Sequence, residues 1–128
     1  MTRVLLDTHA FLWFITDDSR LTARARDAIS SAEQVLVSVA SCWEIAIKAS
    51  LGRLTLSAPP ERLLAEQLAE NSFELLHIEL AHVSGVAALP WHHRDPFDRL
   101  LAAQALDEKL PIASSDAIFK KYGVKRLW

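Results

Sequence analysis

A chain of 128 residues, 51% of them apolar and with only three glycines and five prolines, has the makings of one folded domain rather than a flexible tether or an array of repeats. Its single cysteine, Cys42, excludes an intramolecular disulfide and a thiolate zinc centre, and no apolar run reaches the ~18 residues a membrane span needs. The formal net charge of −2 lacks the basic excess usual in nucleic-acid binders, so bulk charge selects no partner.

The chain begins with a short apolar run, Val4-Leu5-Leu6, which starts at Arg3, ends in Asp7 and reads as a buried strand. No leader is visible ahead of it, and together with the lone cysteine this predicts a cytoplasmic protein. Ala10 to Ile15 is apolar on every side and reads as a helix with little polar face; it carries Phe11, Trp13 and Phe14. Thr22 starts a second helix, with Ala23, Ala25, Ala28 and Ile29 available for packing. Val35-Leu36-Val37 is a β-branched run of strand length. It meets the helix-starting residues Ser38 and Ser41, and the helix from about Val39 to Ser50 stops at Gly52, a C-capping residue.

Pro59-Pro60 opens a helix from Glu61 to Glu70, ending near Asn71. Phe73 to Ile78 is a predicted strand, and Ala81 to Leu89 a short helix stopped by Pro90. Asp95-Pro96 pairs an N-cap with a proline in the first turn, predicting a helix from Pro96 to Lys109. Pro111 to Ser114 reads as a strand, Asp116 to Tyr122 as a short helix closed by Gly123, and Val124 to Trp128 as a last strand. Strands alternating with helices predict a single α/β domain over residues 1–128, with a mostly parallel sheet covered on both faces. Such sheets bind ligands beyond the carboxyl ends of their strands.

Four acids sit where that topology can gather them: Asp7, Glu44, Asp98 and Asp116. Each has an ordinary alternative. Asp7 and Asp116 fit as turn or cap residues. Glu44 has capping-box spacing from Ser41 and ion-pair spacing to Lys48. Its neighbours Trp43, Ile45, Ala46 and Ile47 are nevertheless apolar, and a buried carboxylate needs a partner, which a cation would supply. Within DPFDR, Asp95 is accounted for as the cap and can also pair with Arg99, while Asp98 faces the helix N-terminus and is the better metal ligand.

Magnesium prefers oxygen ligands and usually takes only one or two carboxylates from a protein. Such an ion can activate water for in-line attack on a phosphodiester. No nucleophile with a base beside it is legible, so metal-activated water is the economical chemistry. Thr8 and Ser115, next to two of the acids, are candidates to orient water or substrate. His92 and His93 read as a solvated loop pair, His9 as packing or capping, and Cys42 as a small apolar filler. Phe11, Trp13, Phe14 and Trp43 are numerous enough on two helices to serve a protein interface besides the core.

The segments LLDTHAFLW, SCWEIAIKASLGRL, HHRDPFDRLLAAQAL and IASSD, in that order, resemble the PIN-domain ribonucleases, and most of all the VapC toxins of type II toxin–antitoxin pairs. The resemblance spans nearly the whole chain. It implies an α/β/α sandwich, RNA cleavage dependent on Mg²⁺ or Mn²⁺, a homodimer, and a cognate antitoxin whose tail covers the active-site groove. Asp7, Glu44, Asp98 and Asp116 match the family's acidic positions; Asp95 matches a further acid, and Ser115 stands where threonine is frequent. Two rivals follow: a catalytically silent PIN-type binding module, and a magnesium phosphatase whose chemistry needs a second aspartate at position 9, where this chain has His9.

Overall fold

Strand β1 (Arg3–Leu6) lies at the centre of a parallel sheet. It pairs on one side with β2 (Gln34–Ser38) and on the other with β4 (Ile112–Ala113), while β3 (Glu74–Leu76) extends the β2 edge, giving the order β3-β2-β1-β4. The computed structural model describes residues 2–128. All three pairings are parallel, as the alternation of strands and helices predicts.

The period-2 alternation of strand side chains builds a core on each face. Val4, Leu6, Val35, Val37 and Ala113 point to one side, where Ala10 and Phe11 of α1 (Thr8–Ile15) and Ala25 and Ile29 of α2 (Ala23–Ser31) cover them. Leu64 and Leu68 of α4 (Pro60–Glu70) add to that cover. Leu5, Leu36 and Ile112 point to the other side. There they meet Leu101, Ala102, Ala103 and Ala105 of α6 (Pro96–Asp107) and Phe119 of α7 (Ile118–Lys121), with Val86 of α5 (Leu80–Ala88) packed alongside. Helix α3 (Val39–Ser50) follows β2 without a break and is capped by Ser38, whose Oγ accepts from the Ala40 amide at 3.0 Å. The result is the expected α/β/α sandwich.

Several boundaries differ from the sequence reading for local reasons. Helix α1 starts two residues early because Asp7 caps it, its Oδ1 accepting from the Ala10 amide at 2.7 Å. Ser38, not Ser41, opens α3, so Glu44 lies beyond the reach of a capping box. Gly52 follows the end of α3 with φ of 72°, the left-handed conformation that lets the chain turn away. Helix α6 ends at Asp107 because Lys109 takes a positive φ of 55°. The expected last strand is reduced to one parallel bridge, Arg126 to Ile112. No helix of the described residues is long and apolar enough to cross a membrane.

Candidate active site

The strand order reverses at β1: the chain leaves it toward β2 and β3 and later returns on its other side as β4. At such a switch point the loops beyond the strand ends diverge and leave a crevice. Asp7 ends β1 at this crevice, and Asp116 follows β4 beside it. Glu44 enters from the second turn of α3, and Asp98 from the first turn of α6.

These acids are close enough to act on one another. Burial, first, and then the charges of Asp95, Glu44 and Asp7 push the Asp98 carboxyl up to about 7, against a partly offsetting hydrogen bond from His93. Asp7 is only 5% exposed, and its carboxyl is likewise raised, chiefly by burial and in part by Asp116. Carboxylates in this condition lack a counter-charge. Glu44 is also buried, but both of its oxygens are engaged: Oε1 accepts from Thr8 Oγ1 and Oε2 pairs with Lys48 Nζ, each at 2.7 Å. The i,i+4 ion pair anticipated for Glu44 is therefore present. Thr8 is buried and also shares a hydrogen bond with Ser41 Oγ at 3.0 Å, so this accessory residue orients Glu44.

Asp95 is the cap of α6, its Oδ1 accepting from the amides of Phe97 at 2.8 Å and Asp98 at 3.3 Å. Its expected pairing with Arg99 does not form. Arg99 donates instead to the carbonyls of Pro90, Val86 and Leu89 and to the Tyr122 hydroxyl. Asp116 is exposed, and its Oδ1 accepts from the Ile118 amide at 3.0 Å. Ser115, read as the accessory hydroxyl, faces solvent and contributes only its carbonyl, to Arg126 at 2.7 Å. The fully buried Ser114 takes that place: it hydrogen-bonds the Asp7 carboxylate, and its Oγ accepts from the Asp116 amide at 3.0 Å. Adjacent strand residues point to opposite sides, and it is Ser114, just past the end of β4, that is turned inward while Ser115 faces solvent.

His93 was also missed. The pair His92-His93 is not simply solvated: His93 Nε2 lies 3.0 Å from Asp98 Oδ2, while His92 packs on the Tyr122 ring at 5.3 Å. His93, Asp95 and Asp98 bring three potential ligand atoms within 4.8 Å of one another. The one other such group among the described residues is Glu79, His82 and Glu108. There His82 Nδ1 accepts from the Glu79 amide at 3.0 Å, which places the ring proton on Nε2 and removes that nitrogen as a ligand. His9 is exposed and stacks on Trp13, as packing was expected to have it. Burial pushes the Cys42 thiol up, so it offers no thiolate nucleophile.

A hard divalent cation fits this donor set. The candidate donors are carboxylate oxygens from separate elements, and two of them, buried Asp7 and half-buried Asp98, have raised proton affinity, which is the electrostatic deficit a cation would fill.

The chain matches the PIN domain family model over residues 4–125. It belongs to the PIN domain family. It is 33% identical to Ribonuclease VapC22 of Mycobacterium tuberculosis over 117 residues, covering 91% of this chain and 88% of that protein. Its fold is similar to a chain of VapBC2 from Rickettsia felis bound to promoter DNA, with a TM-score of 0.72 at 12% identity over 97% of this chain and 96% of that one. It is also similar to a chain of DNA-bound VapBC from Salmonella typhimurium, with a TM-score of 0.68 at 18% identity over 98% and 97%.

The raised carboxyls of this PIN domain have a consequence for stability. Between the ordinary value of 3.8 and about 7, folded Asp98 holds a proton that the unfolded chain has released. The folded state then binds more protons than the unfolded one, so this group's contribution to stability declines as pH rises through that window. Asp7 acts in the same direction. Added Mg²⁺ should therefore raise the melting temperature more at about pH 8 than at about pH 5, because at the lower pH it competes with protons. An equal rise at both pH values in thermal scans would contradict a shared carboxylate site.

Proposed function

We propose that this PIN domain is the toxin endoribonuclease of a toxin–antitoxin pair, hydrolysing RNA phosphodiesters with Mg²⁺ or Mn²⁺ held by Asp7, Asp98 and Asp116, with Glu44 completing the set. The observation that carries this reading is the mutual electrostatic influence of acids from separate parts of the chain around the sheet's switch point, Asp116 acting on Asp7, and Glu44 and Asp7 on Asp98. The 33% identity to Ribonuclease VapC22 supports it. Bound at these carboxylates, the cation would lower the pKa of a coordinated water and offset charge on the departing oxygen. The protein's own part is positional. Ser114 couples the Asp7 carboxylate to the Asp116 backbone, Thr8 and Lys48 hold Glu44, and Asp95 fixes the first turn of α6. All four acids are present, which leaves the silent binding module without support. The phosphatase reading lacks its second acid, since His9 is turned onto Trp13.

Attack by water with departure of the 3′ oxygen leaves a 5′-phosphate and a 3′-hydroxyl. Attack by the neighbouring 2′-hydroxyl would leave a 2′,3′-cyclic phosphate. A purified preparation acting on end-labelled RNA is expected to give the first pair of ends, and to cleave at a position carrying a single 2′-deoxy substitution. Cyclic-phosphate products would exclude the proposed chemistry.

The partner reading concerns apolar surface. A cleft of about 570 Å³ runs between α1 and α4, lined by Leu12, Trp13, Ile15, Leu54, Leu56 and Leu63 and edged by Lys48 and Arg53. Its shape and lining suit an amphipathic antitoxin helix, whose basic tail residue would pair with the carboxylates. Trp13 is half-buried and packed edge-on against Trp128. Phe14 is half-buried against Phe73, and Arg26 covers its ring. Phe11 was expected on this surface, but it is fully buried beneath the sheet and contributes to the core instead. Trp43 is 57% exposed on the opposite side, in a patch with Val83, Val86, Pro96, Phe97 and Leu100, and that patch suits a second copy of the chain. Trp13→Ala is expected to weaken antitoxin binding by about 2 kcal/mol, roughly thirtyfold, with the nuclease rate of the free toxin unchanged. Unaltered affinity in a titration would remove Trp13 from the interface.

A further inference from the structure

Arg99 is 3% exposed and has no carboxylate partner among the described residues, an arrangement that is costly unless the guanidinium finds other acceptors. Its Nη1 donates to the Pro90 carbonyl at 2.9 Å and the Tyr122 hydroxyl at 3.2 Å, and its Nη2 to the carbonyls of Val86 at 3.0 Å and Leu89 at 3.4 Å. Trp91 lies over it, with the guanidinium carbon 3.8 Å from the ring centre. The Tyr122 hydroxyl in turn reaches the His93 carbonyl at 3.5 Å. The contacts with Val86, Leu89, Pro90 and Trp91 pin the end of α5 and the connection that carries the chain into α6, and Tyr122, at the end of α7, braces that connection through the His93 carbonyl. A guanidinium placed here for stability alone would be poorly chosen, because an apolar side chain of similar size fills such a space at lower desolvation cost. What the pinned connection delivers is His93, whose Nε2 meets Asp98 Oδ2 at 3.0 Å.

Asp98 needs such a contact. The amides at the start of α6 are already taken by Asp95 Oδ1. The terminal torsion of an aspartate is broad and roughly two-fold, so a carboxylate without a fixed neighbour presents either oxygen over a range of angles.

We infer that Arg99 and His93 are positioning residues for Asp98: Arg99 fixes the connection between α5 and α6, and His93, carried on it, holds Oδ2 and so limits the orientations in which the carboxylate would meet a cation. This rests on the reading of Asp98 as a metal ligand. The competing arrangement makes His93 itself a ligand, since one of its ring nitrogens lies within 4.8 Å of potential ligand oxygens on Asp95 and Asp98.

The test is calorimetric titration of Mg²⁺ into the full chain, without RNA. His93→Ala is expected to weaken binding by about 10–100-fold, the usual cost of losing a hydrogen bond behind a ligand. His93→Gln, whose amide N–H can reach the same oxygen, should recover most of it. Arg99→Met should weaken binding comparably and add little on top of His93→Ala, because it acts through the same contact. Tyr122→Phe keeps the ring and removes one anchor; it should weaken binding in the same direction and serves if Arg99→Met fails to fold. With Mn²⁺ in place of Mg²⁺, the echo-modulated electron spin spectrum should show no directly bound nitrogen. Mg²⁺ affinity unchanged across these variants, fully additive losses, or nitrogen bound to Mn²⁺ would each overturn the inference while leaving the metal site standing. A wild-type protein with no saturable Mg²⁺ binding would overturn both.

Discussion

Asp98→Asn is expected to lower the rate of RNA cleavage by roughly a hundredfold or more, with the fold intact. The substitution keeps the shape of the side chain and removes one of the charges that would hold the cation. Its effect on stability should run the other way. In the metal-free protein Asp98 is crowded by Asp95, Glu44 and Asp7 and buried enough that its carboxyl titrates at about 7. A neutral amide relieves that crowding above this pH, so the melting temperature of the metal-free variant should equal or exceed that of the wild type at about pH 8. Asp95→Asn provides the contrast within the same motif. Its Oδ1 accepts two amides, a task asparagine also performs, so this variant should retain far more activity. Measured side by side, a larger loss for Asp95→Asn than for Asp98→Asn would reverse the roles assigned here.

Removal of divalent cations is expected to take cleavage to background. The hydroxyl that meets Glu44, Thr8 Oγ1, is buried and shared with Ser41, the only thiol is held protonated by burial, and His93 faces an acid rather than a hydroxyl. Nothing among the described residues then generates an attacking group at neutral pH. EDTA followed by excess Mg²⁺ or Mn²⁺ should abolish and restore activity on one sample. Cleavage that persists after thorough chelation would falsify the mechanism.

The α/β/α layering was legible from sequence because each strand is a short apolar run with a helix start behind it, as in Val35-Leu36-Val37 followed by Ser38. Asp7, Glu44 and Asp98 were legible for a related reason. An acid embedded in apolar residues, or at a strand's end, conflicts with its surroundings, and the conflict marks a site. His93 carried no such signal: it lies in a polar connection, and only the Arg99 contacts reveal that this connection is held. Ser114 was passed over for Ser115 because the cue was adjacency to Asp116, and adjacency in sequence does not tell which hydroxyl points inward. Phe11 was misplaced because an all-apolar helix gives no phase, so the face that meets the sheet cannot be read from α1 alone.

The brevity of β4 has a further consequence. It contributes two residues to its pairing with β1, and its outer edge is held by the single bridge to Arg126. Local opening requires little free energy where few backbone bonds must break. The segment from Ser114 to Gly123, which bears Asp116, should therefore exchange its amide protons faster than β1 and β2 and lose order first on warming. Catalytic competence would fade before the central sheet melts. If Asp7 and Asp116 both help to hold a cation, its binding would tie this loose margin to the central strand, so the labile edge would become as durable as the ion's residence in the site.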